Sequence, residues 1–150
     1  MRPILKGGPN GERKTRLPKK SMRSGKKKGY RAERELVAYL REKGWSAWRI
    51  PTSASSSEPL PDVLAVRGDE LAAFEVKYRR ESELTARVDE EQVQKLLDFL
   101  KPFSLYRTRP VIALRARRKW TFRTVSLGGK PTVVRDGEES DWTPDEASAS

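Results

Sequence analysis

Apolar positions in GYRAERELVAYLREKG recur with the period of a helix. Glu33, Leu36, Val37 and Leu40 stand at i, i+3, i+4 and i+7 and so share one face. Gly44 follows the last turn and suits a left-handed cap. WSAWRI (45–50) then alternates as a strand does, and PTSASSSEPLP (51–61) is a Ser/Pro-rich loop. PDVLAVRGDELAAFEVK (61–77) reads as two short strands joined at Gly68-Asp69, a turn signal because glycine takes the positive φ of a tight hairpin. After a polar segment, DEEQVQKLLDFLKPF predicts a second helix with Val93, Leu96, Leu97 and Leu100 on its apolar face. Asp89 and Gln92 resemble a capping box, and Pro102 ends the helix. PVIALRA (110–116) and KWTFRTVSL (119–127) read as two more strands. Helices interleaved with strands predict an α/β or α+β domain, with helices covering a mixed sheet.

Charge changes the picture at both ends. The chain has 150 residues and a formal net charge of +11, with 32 Lys+Arg against 21 Asp+Glu. Eleven of the basic residues fall in 1–29 beside one acid, Glu12, so 1–28 is expected to be a disordered basic arm. Residues 135–150 hold six acids and Arg135, and are expected to form a flexible acidic tail, with Trp142 exposed. The domain proper is then 29–134. Residues 30–134 still carry +6, and the partner most simply suggested is a polyanion, although a basic surface also serves solubility alone. No apolar run approaches membrane-spanning length, so no membrane association is expected, and no apolar stretch follows the basic start as in a signal peptide.

Absences narrow the chemistry. Without cysteine or histidine the chain has no disulfide, no thiolate or imidazole metal site, and no Ser-His or Cys-His nucleophile. Catalysis would have to run on carboxylates, lysine, hydroxyls or a metal held by oxygen.

The hairpin supplies such groups. If Arg67 and Glu70 flank the turn, Val66 faces Leu71, Leu64 faces Ala73 and Asp62 faces Glu75, with Lys77 two residues further on the same face. Opposed Cβ atoms lie about 4.5–5.5 Å apart and like charges there repel. Two carboxylates so placed beside an apolar patch call for a cation, and oxygen ligands select Mg²⁺, with Mn²⁺ as a substitute. The alternative makes Asp62 a loop residue and Glu75–Lys77 a surface pair, which leaves their common face with Leu64, Val66, Leu71 and Ala73 unexplained. Glu33, on the core-directed face of the first helix, is either ordinary first-turn decoration or a third carboxylate for the same cation. The aromatic residues Trp45, Trp48, Phe74, Phe99, Trp120 and Phe122 are assigned to core packing. RARRK (115–119) is either a phosphate contact or a solvated turn.

Glu33, then Pro61-Asp62, then Glu75-Val76-Lys77 form a pattern E…PD…ExK that resembles the PD-(D/E)xK nuclease superfamily. KKGYRAERELVAYLREKGWSAWRI, the Ser-rich loop, PDVLAV, EVK and EQVQKLLDF together are similar to the archaeal-type Holliday junction resolvases, which also occur in viruses and phages. That resemblance spans about Lys27 to Phe122. It implies a restriction-endonuclease-like fold, a central mixed β-sheet flanked by α-helices. It implies Asp62, Glu75 and the Val76 carbonyl as metal ligands, with Glu33 as an essential acid binding the metal or its waters. Lys77 would act on the attacking water and the phosphate. Arg34 and Arg49 match DNA-backbone contacts. Lys28, Arg79 and Arg80 are further DNA-binding candidates. Ser53 matches a loop serine near the scissile phosphate, with Ser55 as the rival register. Gln92 is read as either a helix-start residue or a site residue. The implied partners are a four-way DNA junction and a second copy of the chain in a homodimer. The implied compartment is the cytoplasm of an archaeal or bacterial cell, or of the host of a virus or phage. The competing readings are another PD-(D/E)xK DNA endonuclease of restriction or repair type, and a non-catalytic nucleic-acid-binding protein.

Overall fold

The computed structural model describes residues 29–51, 58–126 and 128–145. Lys28, Ser53, Ser55 and the whole basic arm lie outside them. Helix α1 covers 29–42. Strands β1 (Ser46–Arg49), β2 (Val63–Arg67), β3 (Glu70–Tyr78) and β4 (Thr85–Val88) precede helix α2 (Glu90–Leu100). Strands β5 (Arg107–Ala116), β6 (Lys119–Thr124) and β7 (Thr132–Arg135) follow it. A five-stranded sheet runs in the order β1-β2-β3-β5-β6, and β4 and β7 pair as a separate ribbon. Only β3 and β5 are parallel within the five, joined by a crossover that contains α2, so the sheet is mixed as expected.

Each helix covers one face. Leu36, Val37 and Leu40 of α1 pack with Val63, Ala65, Ala72, Phe74, Val111 and Phe122. Val93, Leu96 and Leu100 of α2 pack with Leu71, Ala73, Ile112 and Leu114 on the other side. The alternation along β3 makes this possible, since successive residues serve opposite cores. Gly44 (φ +90°) closes α1 in a Schellman arrangement: its N–H donates to the Arg41 carbonyl and that of Trp45 to the Leu40 carbonyl. That turn starts β1 at once and fixes its position on the edge of the sheet.

Several expectations need correction. β4 and β7 went unread because four-residue strands rich in charge, TARV and TVVR, lack a long alternation. Trp48 is not core: on edge strand β1 it is paired with Leu64, on the face opposite buried Ala47, and it is 50% exposed. Residues 135–145 are not a mobile tail. Trp142 is buried, its ring 5.2–5.7 Å from those of Phe122, Phe74 and Trp45, each met edge-on. The Trp45 indole N–H donates to the Pro144 carbonyl at 3.0 Å, and Asp141 accepts the Thr124 N–H at 2.8 Å. The acids that suggested a solvated tail are anchors instead, as in Arg123–Glu138 (2.8 Å) and Lys43–Asp145 (2.7 Å).

RARRK turns the chain from β5 into β6. Ala116 pairs with Lys119, leaving Arg117 (φ 52°) and Arg118 (φ 62°) as a two-residue turn in the left-handed region. Asparagine and glycine occupy such turns without strain, whereas other residues pay about 1–2 kcal/mol each.

Candidate active site

The hairpin register is the one the turn predicts. Arg67 pairs with Glu70, Val66 with Leu71, Leu64 with Ala73 and Val63 with Phe74, around Gly68 at φ +62°. Asp62 is held on both sides at the mouth of β2. Its N–H donates to the Phe74 carbonyl and its carbonyl accepts the Ile50 N–H, both at 2.9 Å. Its carboxylate reaches across the hairpin, and Oδ2 accepts the Val76 N–H at 2.9 Å. Val76 stands between Glu75 and Lys77, so this bond locks the acid of one strand against the charged pair of the other.

Glu75 stands beside the Asp62 carboxyl. Burial first, then the hydrogen-bonding tendency and the charge of that neighbouring carboxyl, push the Glu75 carboxyl up to about 9, against the smaller opposing pull of Lys77. Two carboxylates this close cannot both ionise unless a positive charge joins them. The donors present are all hard oxygens, the chemistry that suits Mg²⁺ or Mn²⁺, and no nitrogen or sulfur ligand competes. The pair therefore fits a divalent cation.

Glu33 approaches from α1 but does not complete a three-acid cluster: among the described residues no three acidic side chains converge as a metal cage. Arg49 holds it, with Nε 2.8 Å from Oε1. Burial, helped by the charge of Asp62, still raises the Glu33 carboxyl above its usual range, so Glu33 senses the pair without joining it. Arg49 also lies over the Tyr30 ring, 4.5 Å from its centroid. The expected DNA contact is thus first a clamp on the first-helix acid. Arg34 is exposed on the same helix, Arg79 is half-buried and Arg80 exposed just beyond Lys77.

Gln92 belongs to the site, and sequence reasoning left it undecided. Its backbone N–H donates to Asp89 at 2.9 Å, which is the expected helix cap. The reciprocal half of a capping box is missing because the side chain is used elsewhere. Its Nε2 donates to Glu75 and its Oε1 accepts from the Lys77 ammonium, each at 3.5 Å. Both groups are thereby spaced by one amide on α2. The signal was available: a third helical residue that faces the same side as Val93 and Leu96 also faces β3.

Residues 24–133 match the family model described as archaeal Holliday junction resolvase. A crossover junction endodeoxyribonuclease Hje of Saccharolobus solfataricus is 44% identical over 97 residues, covering 65% of this chain and 70% of that protein. Crossover junction endodeoxyribonuclease Hjc of Archaeoglobus fulgidus is 37% identical over 103 residues, covering 68% and 72%. The crystal structure of the A. fulgidus Hjc, a Holliday junction resolvase, superposes with a TM-score of 0.61 at 29% identity, covering 72% of this chain and 88% of that one. A crossover junction endodeoxyribonuclease of Sulfolobus islandicus rod-shaped virus 1 is 28% identical over 82 residues. The fold is therefore the restriction-endonuclease-like one, and the chain belongs to the archaeal Holliday junction resolvase family.

Proposed function

We propose that this chain resolves four-way DNA junctions by Mg²⁺-dependent phosphodiester hydrolysis, placing paired, symmetric nicks in opposing strands. The observation that carries the reading is the Asp62–Glu75 carboxyl pair, locked to the Val76 backbone and flanked by Lys77. Asp62 and Glu75 would hold the cation, with the Val76 carbonyl as a further donor. When bound, the cation supplies a lowered water pKa and polarisation of the phosphoryl oxygens. Lys77, half-buried and held by Gln92, sets an ammonium beside the phosphate, where it offsets charge that builds up in the transition state. Glu33, clamped by Arg49, adds negative charge facing the pair and suits hydrogen bonding to the cation's waters better than direct ligation.

The surplus of basic residues supports a substrate gripped by its backbone. Arg34 and Arg49 lie near Glu33, Arg79 and Arg80 follow closely on Lys77 in the chain, and contacts to phosphate carry no base preference. Branched shape would then be read by spacing, which favours a two-fold homodimer presenting two sites to a junction of matching symmetry. Leu105, 95% exposed beside Tyr106 and Phe103, is an apolar surface in keeping with a second copy. No described helix is long and apolar enough to cross a membrane. We assign the activity to the cytoplasm, where DNA of the cell or an infecting virus is processed. The test is cleavage of a synthetic mobile junction against a linear duplex, with and without Mg²⁺. Paired nicks confined to the junction and to Mg²⁺ are expected, whereas cutting of linear duplex would favour a restriction or repair enzyme.

A further inference from the structure

A cavity of about 460 Å³ opens between α1, the end of β3 and the β5–β6 turn. Arginines 31, 79, 80, 115, 117 and 118 line it, against only Glu35 and Glu81. Four of the six are occupied. Arg31 and Arg115 share Glu35, at 3.0 and 3.2 Å. Arg79 donates to the Tyr78 and Thr85 carbonyls, and Arg117 lies 3.7 Å from buried Asp136. Among the described residues the side chains of Arg80 and Arg118 have no such partner. Gathering like charges in a concave wall costs free energy that an anion would return.

The backbone adds an independent observation. Arg117 and Arg118 both hold left-handed φ angles that an Asn-Gly pair would take at no cost. Strain kept at a turn that lines an arginine cavity is the kind found at ligand clamps. Arg79 and Arg80 follow directly on Lys77, within about 7–10 Å along the strand, and Arg31 precedes Glu33 on α1.

We propose that this cavity is a phosphate subsite for the DNA strand leaving Asp62 and Glu75, with Arg80 and Arg118 as its principal cations. The inference rests on the nuclease reading and adds a fixed second anchor, which sets the path of the strand from the cut toward the β5–β6 turn. Arginine suits the task because its planar fork pairs two donors with two phosphoryl oxygens.

The experiment measures affinity of the full chain for a four-way junction in EDTA across a salt series, with melting temperature read in parallel. Arg118→Gly relieves the turn, so its melting temperature should hold or rise, while junction affinity falls about tenfold and the log–log salt slope becomes shallower by about one. Arg80→Ala should do the same to affinity and slope, and Arg87→Ala, an exposed arginine on β4, should change neither. A more stable Arg118→Gly with wild-type affinity and slope would make the turn a strained hairpin and nothing more. Failure of the resolvase reading shows separately, as wild-type affinity that is equal for junction and linear duplex. A single uncharged methylphosphonate moved along the strand beside the cut then locates the anchor: one position should weaken wild type and leave Arg80→Ala/Arg118→Gly no weaker. If no position behaves so, the subsite is wrong.

Discussion

Asp62 accepts the backbone N–H of Val76 across the hairpin at 2.9 Å, and this bond makes the carboxyl pair a property of the fold. A slip of one residue would turn Glu75 and Lys77 to the opposite face, toward α1, and leave Asp62 alone. The glycine bend at position 68, far from the chemistry, is therefore part of what places it.

Without a cation the pair should work against folding as pH rises. The Glu75 carboxyl titrates near 9 when folded, against 4.5 as its ordinary value. A carboxyl whose folded pKa is raised gives its stability below the unfolded value and loses it as pH climbs toward the folded one. In EDTA the melting temperature should accordingly decline between about pH 4.5 and 9, and Glu75→Gln should flatten that decline. A wild-type profile as flat as that of the variant would contradict the pairing.

Gln92→Ala should lower activity about 10–100-fold, in the range seen for residues that orient metal ligands. Its cap is a backbone bond to Asp89, which the substitution leaves in place, so α2 and the melting temperature should be nearly unchanged. Single-turnover cleavage at saturating enzyme is the readout, since a helix-start role alone would leave that rate intact.

Trp142→Ala should destabilise the protein by about 3–5 kcal/mol, the usual cost of emptying a buried aromatic position. The ring sits among Trp45, Phe74 and Phe122, so denaturant melts should shift markedly although Trp142 lies beyond the residues matched by the family model. A shift under about 1 kcal/mol would mean that 135–145 is not packed as described.

Legibility in the sequence followed the length of the pattern. The apolar faces of α1 and α2 were readable because each repeats its period, the hairpin register was readable from the Gly68-Asp69 turn, and that register alone brought Asp62 opposite Glu75. β4 and β7 are four residues each and owe their pairing to contacts 44–50 residues apart, which no local period encodes. Trp142 was misplaced for a related reason: its acidic neighbours look solvated until Arg123, Thr124 and Lys43, distant in the chain, are brought beside them. Arg49 was assigned to DNA on resemblance, and only the approach of β1 to α1 shows it holding Glu33. Gln92 had two plausible duties in one residue, and its backbone performs the first while its side chain performs the second.

Binding of Mg²⁺ or Mn²⁺ to the DNA-free protein, measured by calorimetry, bears most directly on the shared carboxyl site. Wild type should bind with proton release, because the proton that the raised Glu75 carboxyl keeps must leave, while Asp62→Asn and Glu75→Gln should each weaken binding at least tenfold and remain folded. Equal binding by wild type and both variants would place the cation elsewhere and contradict the account.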